Sequence, residues 1–426
     1  MPDPLVRARD VLLDRDEMTA RLARLLAVDG ALRIDGYRRR RAKYRVGESL
    51  WLVHELEIGG ALRVVSTGTL PGRSAEVYER ALERATDADG LRAVAHDPEL
   101  ETVVWTYPND RTIAGLVGIA PSTDLLSRLL GRPVARTVLV AYAPEESATV
   151  ACLDDDGIPI AYAKLFASVE DAAAARDAHA ALFAQIGRDH SMLRVPAPLA
   201  WSPDDRLLVV EAFHGRRVDA LRGPDVLLAM RRFGAAVASL HSVPVADGLA
   251  PFERLAPARQ AEAADVIGRV RPDVAAVAGA LADELLEAAR PAEPAVLLHG
   301  DVQPRNGLVV GRRIALVDLH RAGLGQPAID LGGTLAGLRY RAIVDDERAR
   351  GERLSAALME GYASRRDVPH PAVLCWHVAA ALLTERALRA IDGLRPEGLD
   401  HLGEILSDAR AILSDARAVL HAGAVR

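Results

Sequence analysis

The chain contains few cysteines, lysines, asparagines and aromatic residues. Cys152 and Cys375 are its only cysteines in 426 residues. That is too few for a disulfide framework or a thiolate metal site, and we interpret both as small buried apolar residues. The first 18 residues lack the apolar core of a signal peptide, and no window is apolar enough for a membrane span. We therefore expect a cytoplasmic protein without a membrane segment.

Charge of one sign is not concentrated over any long stretch. The net charge is −6, with acidic and basic residues interspersed, which argues against nucleic acid as the main partner. The densest basic patch is Arg38–Arg41. We interpret it as an exposed strand edge or turn, with a contact to phosphate or another polyanion as the alternative.

Nearly all the basic residues are arginines. The only lysines are Lys43 and Lys164, and the only asparagines are Asn109 and Asn306. In so biased a composition, a lysine or an asparagine indicates a site where arginine or another polar residue could not serve.

The length predicts more than one core, and the patterns predict three segments. Residues 1–132 mix helical periodicity at 18–27 and 74–85 with a β-type run at 50–58 and end in a short helix at 123–130, which predicts a small α+β domain. Residues 133–215 predict a sheet of five strands with one helix, and residues 216–426 are mainly helical. The predicted strands are 138–142, 148–153, 159–166, 198–201 and 206–211, and the predicted helices are 168–186, 225–241, 257–289, 330–341, 345–364, 371–391 and 401–422.

Three polar side chains follow short apolar runs in the stretch 294–318. Asp301 and Asn306 lie five apart between the runs 296–298 and 308–310, and Asp318 ends the next run. We expect two short strands to present all three at the same end. Phosphoryl transfer needs such a set, with a carboxylate that orients the substrate hydroxyl and oxygens that hold magnesium against the phosphates.

At these residues the sequence resembles the aminoglycoside phosphotransferase family, a branch of the protein-kinase-like fold. The family's catalytic loop is similar to His299-Gly-Asp-Val-Gln-Pro-Arg-Asn306, and its magnesium aspartate to Asp318 in Leu-Val-Asp-Leu-His. The resemblance implies a bilobal α+β fold, with a five-stranded antiparallel N-lobe at 133–215 and a mainly helical C-lobe at 216–426. The extension at 1–132 resembles the N-terminal cap domain of the maltokinase-like actinobacterial branch.

The resemblance also implies roles for individual residues. Asp301 would be the base or orienting group, His299 would orient the loop, and Asn306 and Asp318 would hold Mg²⁺. Lys164 would contact the nucleotide phosphates, a role that suits its compact ammonium group. The other nucleotide residues would be Asp177 as the acidic partner of Lys164, with Glu170 as competitor, Ser147 in the phosphate turn, and Glu211 and Phe213 beside the adenine.

The sequence departs from the family pattern in two places near the predicted site. The turn 142–147 has no glycine, and His320 stands where many relatives carry a second acid. We expect the acceptor to lie near the C-terminal helices, beside Trp376, His377, Glu385 and Arg386, although at helical spacing these residues are equally compatible with core and surface. We interpret His241 as a partly buried histidine at a helix end.

The leading hypothesis is a Mg²⁺-dependent phosphotransferase that uses ATP or GTP. Its acceptor would be a hydroxyl of a small molecule, such as a sugar, an amino sugar or an aminoglycoside-like compound, and it would act as a monomer or homodimer. One alternative is a non-catalytic binding or regulatory protein that keeps the kinase fold. The other, a protein kinase, is disfavoured because nothing resembles a glycine-rich loop or an activation segment.

Overall fold

The computed structural model describes residues 3, 5–120, 122–187, 190–244, 251–252, 257–288 and 291–424, without the side chains of 257 and 417–424. The chain divides into two compact units. The first comprises residues 1–173, 199–210 and 392–394, and the second comprises 174–198, 211–391 and 395–426. The fold is mixed α+β, as predicted.

The N-terminal 132 residues form a five-stranded antiparallel sheet with short helices. Its strand order is β1-β2-β3-β5-β4, and the alternating run predicted at 50–58 is the long second strand. Leucines of the first two helices pack on this sheet in one apolar cluster. The elements are α1 Val6–Leu13, α2 Arg15–Leu26, β1 Gly36–Arg45, β2 Ser49–Ile58, β3 Ala61–Thr69, α3 Ser74–Leu82, β4 Val94–Asp97, β5 Thr102–Thr106, α4 Leu116–Ile119 and α5 Asp124–Leu130.

A second five-stranded sheet follows, with the order β10-β11-β8-β7-β6. All five strands predicted for this segment are present. The helix between them begins as predicted, because the Ser168 hydroxyl caps it by accepting a hydrogen bond from Asp171 N at 3.0 Å. The elements are β6 Arg136–Ala143, β7 Ser147–Leu153, β8 Pro159–Phe166, α6 Val169–Ile186, β9 Leu193–Arg194, β10 Pro198–Ser202 and β11 Leu207–Glu211.

The described residues from 216 onward are mainly helical and include five short strands. The elements are β12 Arg216–Arg217, α7 Asp225–His241, α8 Pro257–Val270, α9 Ala275–Glu287, β13 Val296–Leu298, β14 Gly307–Val310, β15 Arg313–Leu316, β16 Gly323–Gly325, α10 Pro327–Val344, α11 Arg348–Ala363, α12 Pro371–Ala381, α13 Leu388–Asp392, α14 Pro396–Asp400 and α15 Leu402–Ala424. No described helix is long and apolar enough to cross a membrane.

Two helices predicted as continuous are interrupted. The helix expected at 257–289, whose last residue lies outside the described part, is instead α8 and α9, with a 3₁₀ turn Pro272–Val274 between them. Pro272 breaks it because proline lacks the backbone N–H and clashes with the preceding turn. The helix expected at 371–391 contains a π-helical segment, Leu382–Ala387.

The catalytic loop predicted from the sequence rests on a core made by α7, α10 and α11. Phe233, Leu316 and Leu331 belong to the same buried cluster as Val302 of the loop itself. Helices α7 and α11 approach closely, since a Cβ on Gly234 would lie 2.0 Å from Leu358 O. The loop therefore stands on close-packed side chains that leave it little freedom to shift.

Candidate active site

The loop joins a two-stranded sheet, β13 and β16, to a four-stranded sheet in the order β12-β14-β15-β9. Strand β13 pairs antiparallel with β16, and β14 forms a hairpin with β15, in which Leu308 faces Ala315. The loop runs from β13 to β14, and Asp318 follows β15. The chain turns sharply at Gly300, whose φ is +78° and where a Cβ would lie 2.1 Å from Arg321 O, so only glycine fits.

A buried carboxylate holds the start of the loop. Asp330, in the first turn of α10, accepts hydrogen bonds from His299 N at 2.8 Å and from Gly300 N at 2.9 Å. His241, at the end of α7, lies 3.2 Å from the same carboxylate through Nε2, and its Nδ1 lies 3.0 Å from the Tyr362 hydroxyl. Since Asp330 is only 3% exposed, these contacts fix the loop by charge-assisted bonds shielded from water.

His299 ties the loop to the end of β15. Its Nε2 lies 3.0 Å from Val317 O, and Asp301 N lies 3.3 Å from its Nδ1. A carbonyl only accepts and a backbone N–H only donates, so this pattern assigns the ring proton to Nε2. The imidazole is fully buried and occupied at both nitrogens, which agrees with the orienting role predicted for it.

Asp301 and Asn306 contact each other, as their spacing predicts. Asn306 Nδ2 donates to Asp301 O at 2.9 Å and lies 3.5 Å from Asp301 Oδ2. Arg305 donates to the same Oδ2 at 3.0 Å. Val317 N donates to Asn306 O at 2.9 Å, which brings the residue before Asp318 against the loop.

Asp318 adopts an unusual backbone conformation. Its φ is +66°, a left-handed value that costs energy for a residue with a side chain. Its Oδ1 lies 2.8 Å from His320 Nδ1. His320, which stands where many relatives carry a second acid, therefore contacts Asp318. Among the described residues, no group of three or more His, Cys, Asp and Glu side chains is arranged to hold a metal.

A family model described as the phosphotransferase enzyme family matches residues 143–368. This range covers more than half of the chain and contains the whole loop and Asp318. The chain belongs to the phosphotransferase enzyme family. No curated protein matches the chain.

Solved structures of similar proteins include several kinases and phosphotransferases. A thermostable mutant of an aminoglycoside phosphotransferase is 18% identical, covering 69% of this chain and 99% of that chain, with a TM-score of 0.48. A choline/ethanolamine kinase family protein from Mesorhizobium loti is 16% identical, covering 71% and 96%, with a TM-score of 0.46. A macrolide 2'-phosphotransferase from Brachybacterium faecium is 18% identical, covering 66% and 97%, with a TM-score of 0.43.

The predicted nucleotide residues of this phosphotransferase lie in both units. In the first unit, Lys164 is on β8, with Nζ 5.6 Å from the centroid of the Phe166 ring, and Ser147 is the first residue of β7. Glu170, the alternative to Asp177 as partner of Lys164, accepts a hydrogen bond from the Ser168 hydroxyl at 2.9 Å. A backbone hydrogen bond, and to a lesser extent the bond from Ser168, lower the pKa of Glu170.

In the second unit, Asp177 forms an ion pair with its neighbour Arg176 at 2.7 Å. Glu211 accepts hydrogen bonds from Arg194 at 3.3 Å and from Ala197 N at 3.2 Å. The Arg194 guanidinium also lies 4.5 Å from the centroid of the Phe213 ring. Arg194 therefore joins the two residues predicted to flank the adenine, a connection that the sequence did not indicate.

The predicted acceptor residues fall into two groups. Trp376 and His377 are 2% and 3% exposed, and Trp376 Nε1 donates to Leu285 O at 2.9 Å. Both therefore lie in the packed interior. Glu385 instead lines a shallow depression next to Asp301, and Arg386 donates to Gly333 O at 2.8 Å. The depression is lined by Phe252, Gly300, Asp301, Val302, Gln303, Ile329, Asp330, Gly333, Ala381 and Glu385.

The sequence interpretation missed two contributions to this site. His241 was interpreted as a bland helix-end histidine, yet it is 1% exposed and contacts the carboxylate that holds the loop. Asp330 was noticed only as the start of a helix. A useful signal was available for it, because an aspartate in the first turn of an otherwise apolar helix is not expected to be buried without partners.

Proposed function

We propose that this phosphotransferase moves the γ-phosphate of ATP or GTP to a hydroxyl group of a small molecule, most consistently a sugar, an amino sugar or an aminoglycoside-like compound, with Mg²⁺ bound. The observation that carries the proposal is the contact between Asp301 and Asn306, held against the end of β15 by Val317 and His299. A carboxylate base and an amide ligand held in this way fit phosphoryl transfer.

Asp301 would act on the acceptor. Its carboxylate would accept the proton of the substrate hydroxyl as the hydroxyl oxygen attacks the γ-phosphorus and the bond to the leaving nucleoside diphosphate breaks. Its side chain is 11% exposed, which supports contact with a bound molecule at the depression. Arg305 would keep the carboxylate oriented through their 3.0 Å ion pair.

The donor set fits magnesium. Mg²⁺ prefers oxygen ligands, keeps several waters and is commonly held by one or two protein groups together with substrate phosphates. The amide oxygen of Asn306 and the carboxylate of Asp318 would supply those groups, and when bound the ion would neutralise charge on the phosphates.

The nucleotide would be bound by five residues, namely Lys164, Ser147, Asp177, Glu211 and Phe213. Lys164 is a lysine in a chain that otherwise uses arginine, and a point-charge ammonium suits phosphate oxygens. On the acceptor side, Glu385 would select molecules that carry a cationic or hydroxyl-rich group, since it lines the same depression as Asp301.

A screen for nucleoside-diphosphate release over sugars, amino sugars, aminoglycosides and amino alcohols tests the proposal. On any acceptor that turns over, Asp301→Asn should lower kcat by at least about a hundredfold, the usual contribution of general acid–base catalysis. Asp345→Asn is the matched control, because this exposed aspartate at the end of α10 lies 3.9 Å from its nearest cation, Arg341. Full turnover by Asp301→Asn would show that the base is assigned wrongly.

A protein that keeps the fold without the activity would give a different result. No acceptor or water would then take phosphate from ATP or GTP, with or without added Mg²⁺. Labelled ATP with generic protein acceptors separates the remaining alternative, since a protein kinase would label them and a small-molecule kinase would not.

A further inference from the structure

The N-terminal domain contains a cavity that the proposed reaction does not use. Its volume is about 560 Å³, which lies within the range of small-molecule sites. It opens between α3 and the segment 109–112 that follows β5. Val77, Ala81, Val94 and Trp105 form an apolar wall, and the polar lining consists of Arg80, Glu83, Arg84, Asn109, Asp110, Arg111 and Thr112.

One buried donor on the wall lacks an acceptor. Trp105 is 2% exposed, and its Nε1 has no hydrogen-bond partner among the residues that the structure describes. The ring is stacked on Trp51 at 5.4 Å, so it is not free to turn toward another acceptor. The N–H itself exposes less than 1 Å², so Trp105 offers a ligand its fixed apolar ring and not a hydrogen bond.

The lining carries three guanidinium groups against two carboxylates, Glu83 and Asp110, and Asp110 already accepts from the Tyr142 hydroxyl, so the balance favours an anion. Arg80 pairs with Glu76 and Arg111 with Glu145, whereas Arg84 has no acidic partner in the described part of the chain. The Arg80 pair is largely exposed, with 74% and 60% of its side chains accessible, so it is weak and readily exchanged. Asn109, by contrast, is engaged by Thr86 and Thr106 and only shapes the wall.

Two residues that line the cavity, Asp110 and Arg111, contact the turn between β6 and β7. The Tyr142 hydroxyl donates to Asp110 Oδ2 at 2.6 Å, and Glu145 N donates to the same oxygen at 3.3 Å. Arg111 pairs with the Glu145 side chain, and Lys43 on β1 pairs with Glu146. Asp110, Arg111 and Lys43 thus hold the turn that leads into Ser147.

We propose that this cavity is an effector site for a small organic anion, such as a phosphate ester or carboxylate with an apolar body. The apolar wall, which includes the Trp105 ring, would take the body and Arg84 the charge. An anion beside Arg111 competes with Glu145 for that guanidinium, and so loosens the turn. This second step rests on the proposed function, in which the turn borders the nucleotide phosphates, and it makes the anion an antagonist of nucleotide binding.

Phenyl phosphate is a suitable probe, and the indole ¹⁵N–¹H resonances are the readout. The chain has four tryptophans, and Trp105→Phe assigns the resonance of Trp105 by its loss. Phenyl phosphate should shift that resonance in a saturable manner, because its ring would lie against the indole. Inorganic phosphate, which lacks the ring, and benzyl alcohol, which lacks the charge, should bind at least several-fold more weakly.

Variants locate the binding. Arg84→Ala should weaken phenyl phosphate about fivefold, as expected for one exposed ion pair, while the exposed Arg132→Ala, outside the cavity, should leave it unchanged. A resonance that does not move, or an Arg84→Ala variant that binds as wild type does, overturns the site. These measurements need no nucleotide, so they decide the site even if the proposed function fails.

Calorimetry with ADP tests the effector role. Saturating phenyl phosphate should raise the Kd of ADP by about threefold or more in wild type, and by reciprocity ADP should weaken phenyl phosphate by the same factor. Because Arg84→Ala weakens phenyl phosphate only about fivefold, this variant should need about fivefold more phenyl phosphate for the same effect. If it needs no more than wild type does, phenyl phosphate competes directly at the nucleotide site and the effector role is wrong. If ADP binds equally well with and without phenyl phosphate, the effector role is also wrong. If ADP does not bind at all, the proposed function is refuted instead.

Discussion

The carboxylate that holds the catalytic loop provides the sharpest test of the structure. Asp330 accepts bonds from His299 N at 2.8 Å, from Gly300 N at 2.9 Å and from His241 at 3.2 Å. In Asp330→Asn one oxygen becomes an NH₂ group that must face a donor N–H. Since a bond to a charged group contributes about 1.5–3 kcal/mol, losing one and leaving its donor buried should destabilise the loop by roughly 2–4 kcal/mol.

Hydrogen exchange measures this loss at the bonds themselves. The amides of His299 and Gly300 should exchange roughly thirtyfold or more faster, since each 1.4 kcal/mol is a factor of ten. On an acceptor found by the screen, kcat should fall about a hundredfold, because small misplacements of a catalytic group cost that much. Asp345→Asn, at the other end of the same helix, is the control. If Asp330→Asn keeps wild-type exchange at these two amides, the carboxylate does not hold the loop.

Three further predictions concern the framework. Gly300→Ala should abolish turnover and lower the melting temperature, because its Cβ would lie 2.1 Å from Arg321 O at a φ of +78°. Gly234→Ala should destabilise by about 2 kcal/mol or more despite its better helix propensity, measured by urea unfolding, since the Cβ would meet Leu358 O at 2.0 Å. Burial raises the pKa of Glu145, so its ionised form is disfavoured in the folded state. The free energy that Glu145 contributes to folding therefore falls as the pH rises. Glu145→Gln should raise the melting temperature at neutral pH and not near pH 4.

The sequence predicted the loop because the chemistry of that segment is local. Asp301 and Asn306 are five residues apart and contact each other, and the strand before Asp318 returns beside them. The hydrogen bonds from His299 N and Gly300 N to Asp330 were not predicted. Asp330 lies 30 residues from Gly300, and it binds backbone N–H groups, which every residue type except proline carries. Partners at such a distance follow from packing and not from spacing.

The two scarce residue types differ in burial, since the asparagines are buried and the lysines are only partly buried. Both asparagines are buried, at 4% and 7% exposure, and Asn109 uses its amide at both ends to fix Thr86 and Thr106. Lys43 pairs with Glu146 beside the turn. The side-chain amide of Asn109 both donates and accepts hydrogen bonds, which the common residue types of this chain cannot do in its place. A structural role therefore accounts for this asparagine.

The interrupted helices show two different limits. Pro272 was visible in the sequence and should have ended the helix that was predicted across it. The π-helical segment Leu382–Ala387 follows from no residue type in the sequence. Such segments are frequent at functional sites, and this one places Glu385 on the depression beside Asp301.

The loop and the proposed acceptor face are built from different kinds of residue. His299, His241 and Asp330 are buried and bonded to one another or to backbone, so a change in any of them leaves a polar group unpaired at a cost of about 1–3 kcal/mol. Glu385 is only partly buried and lies on a π-helical segment at the edge of the depression. In the proposed function, Glu385 therefore sets acceptor preference from outside the buried contacts that fix the phosphoryl-transfer geometry.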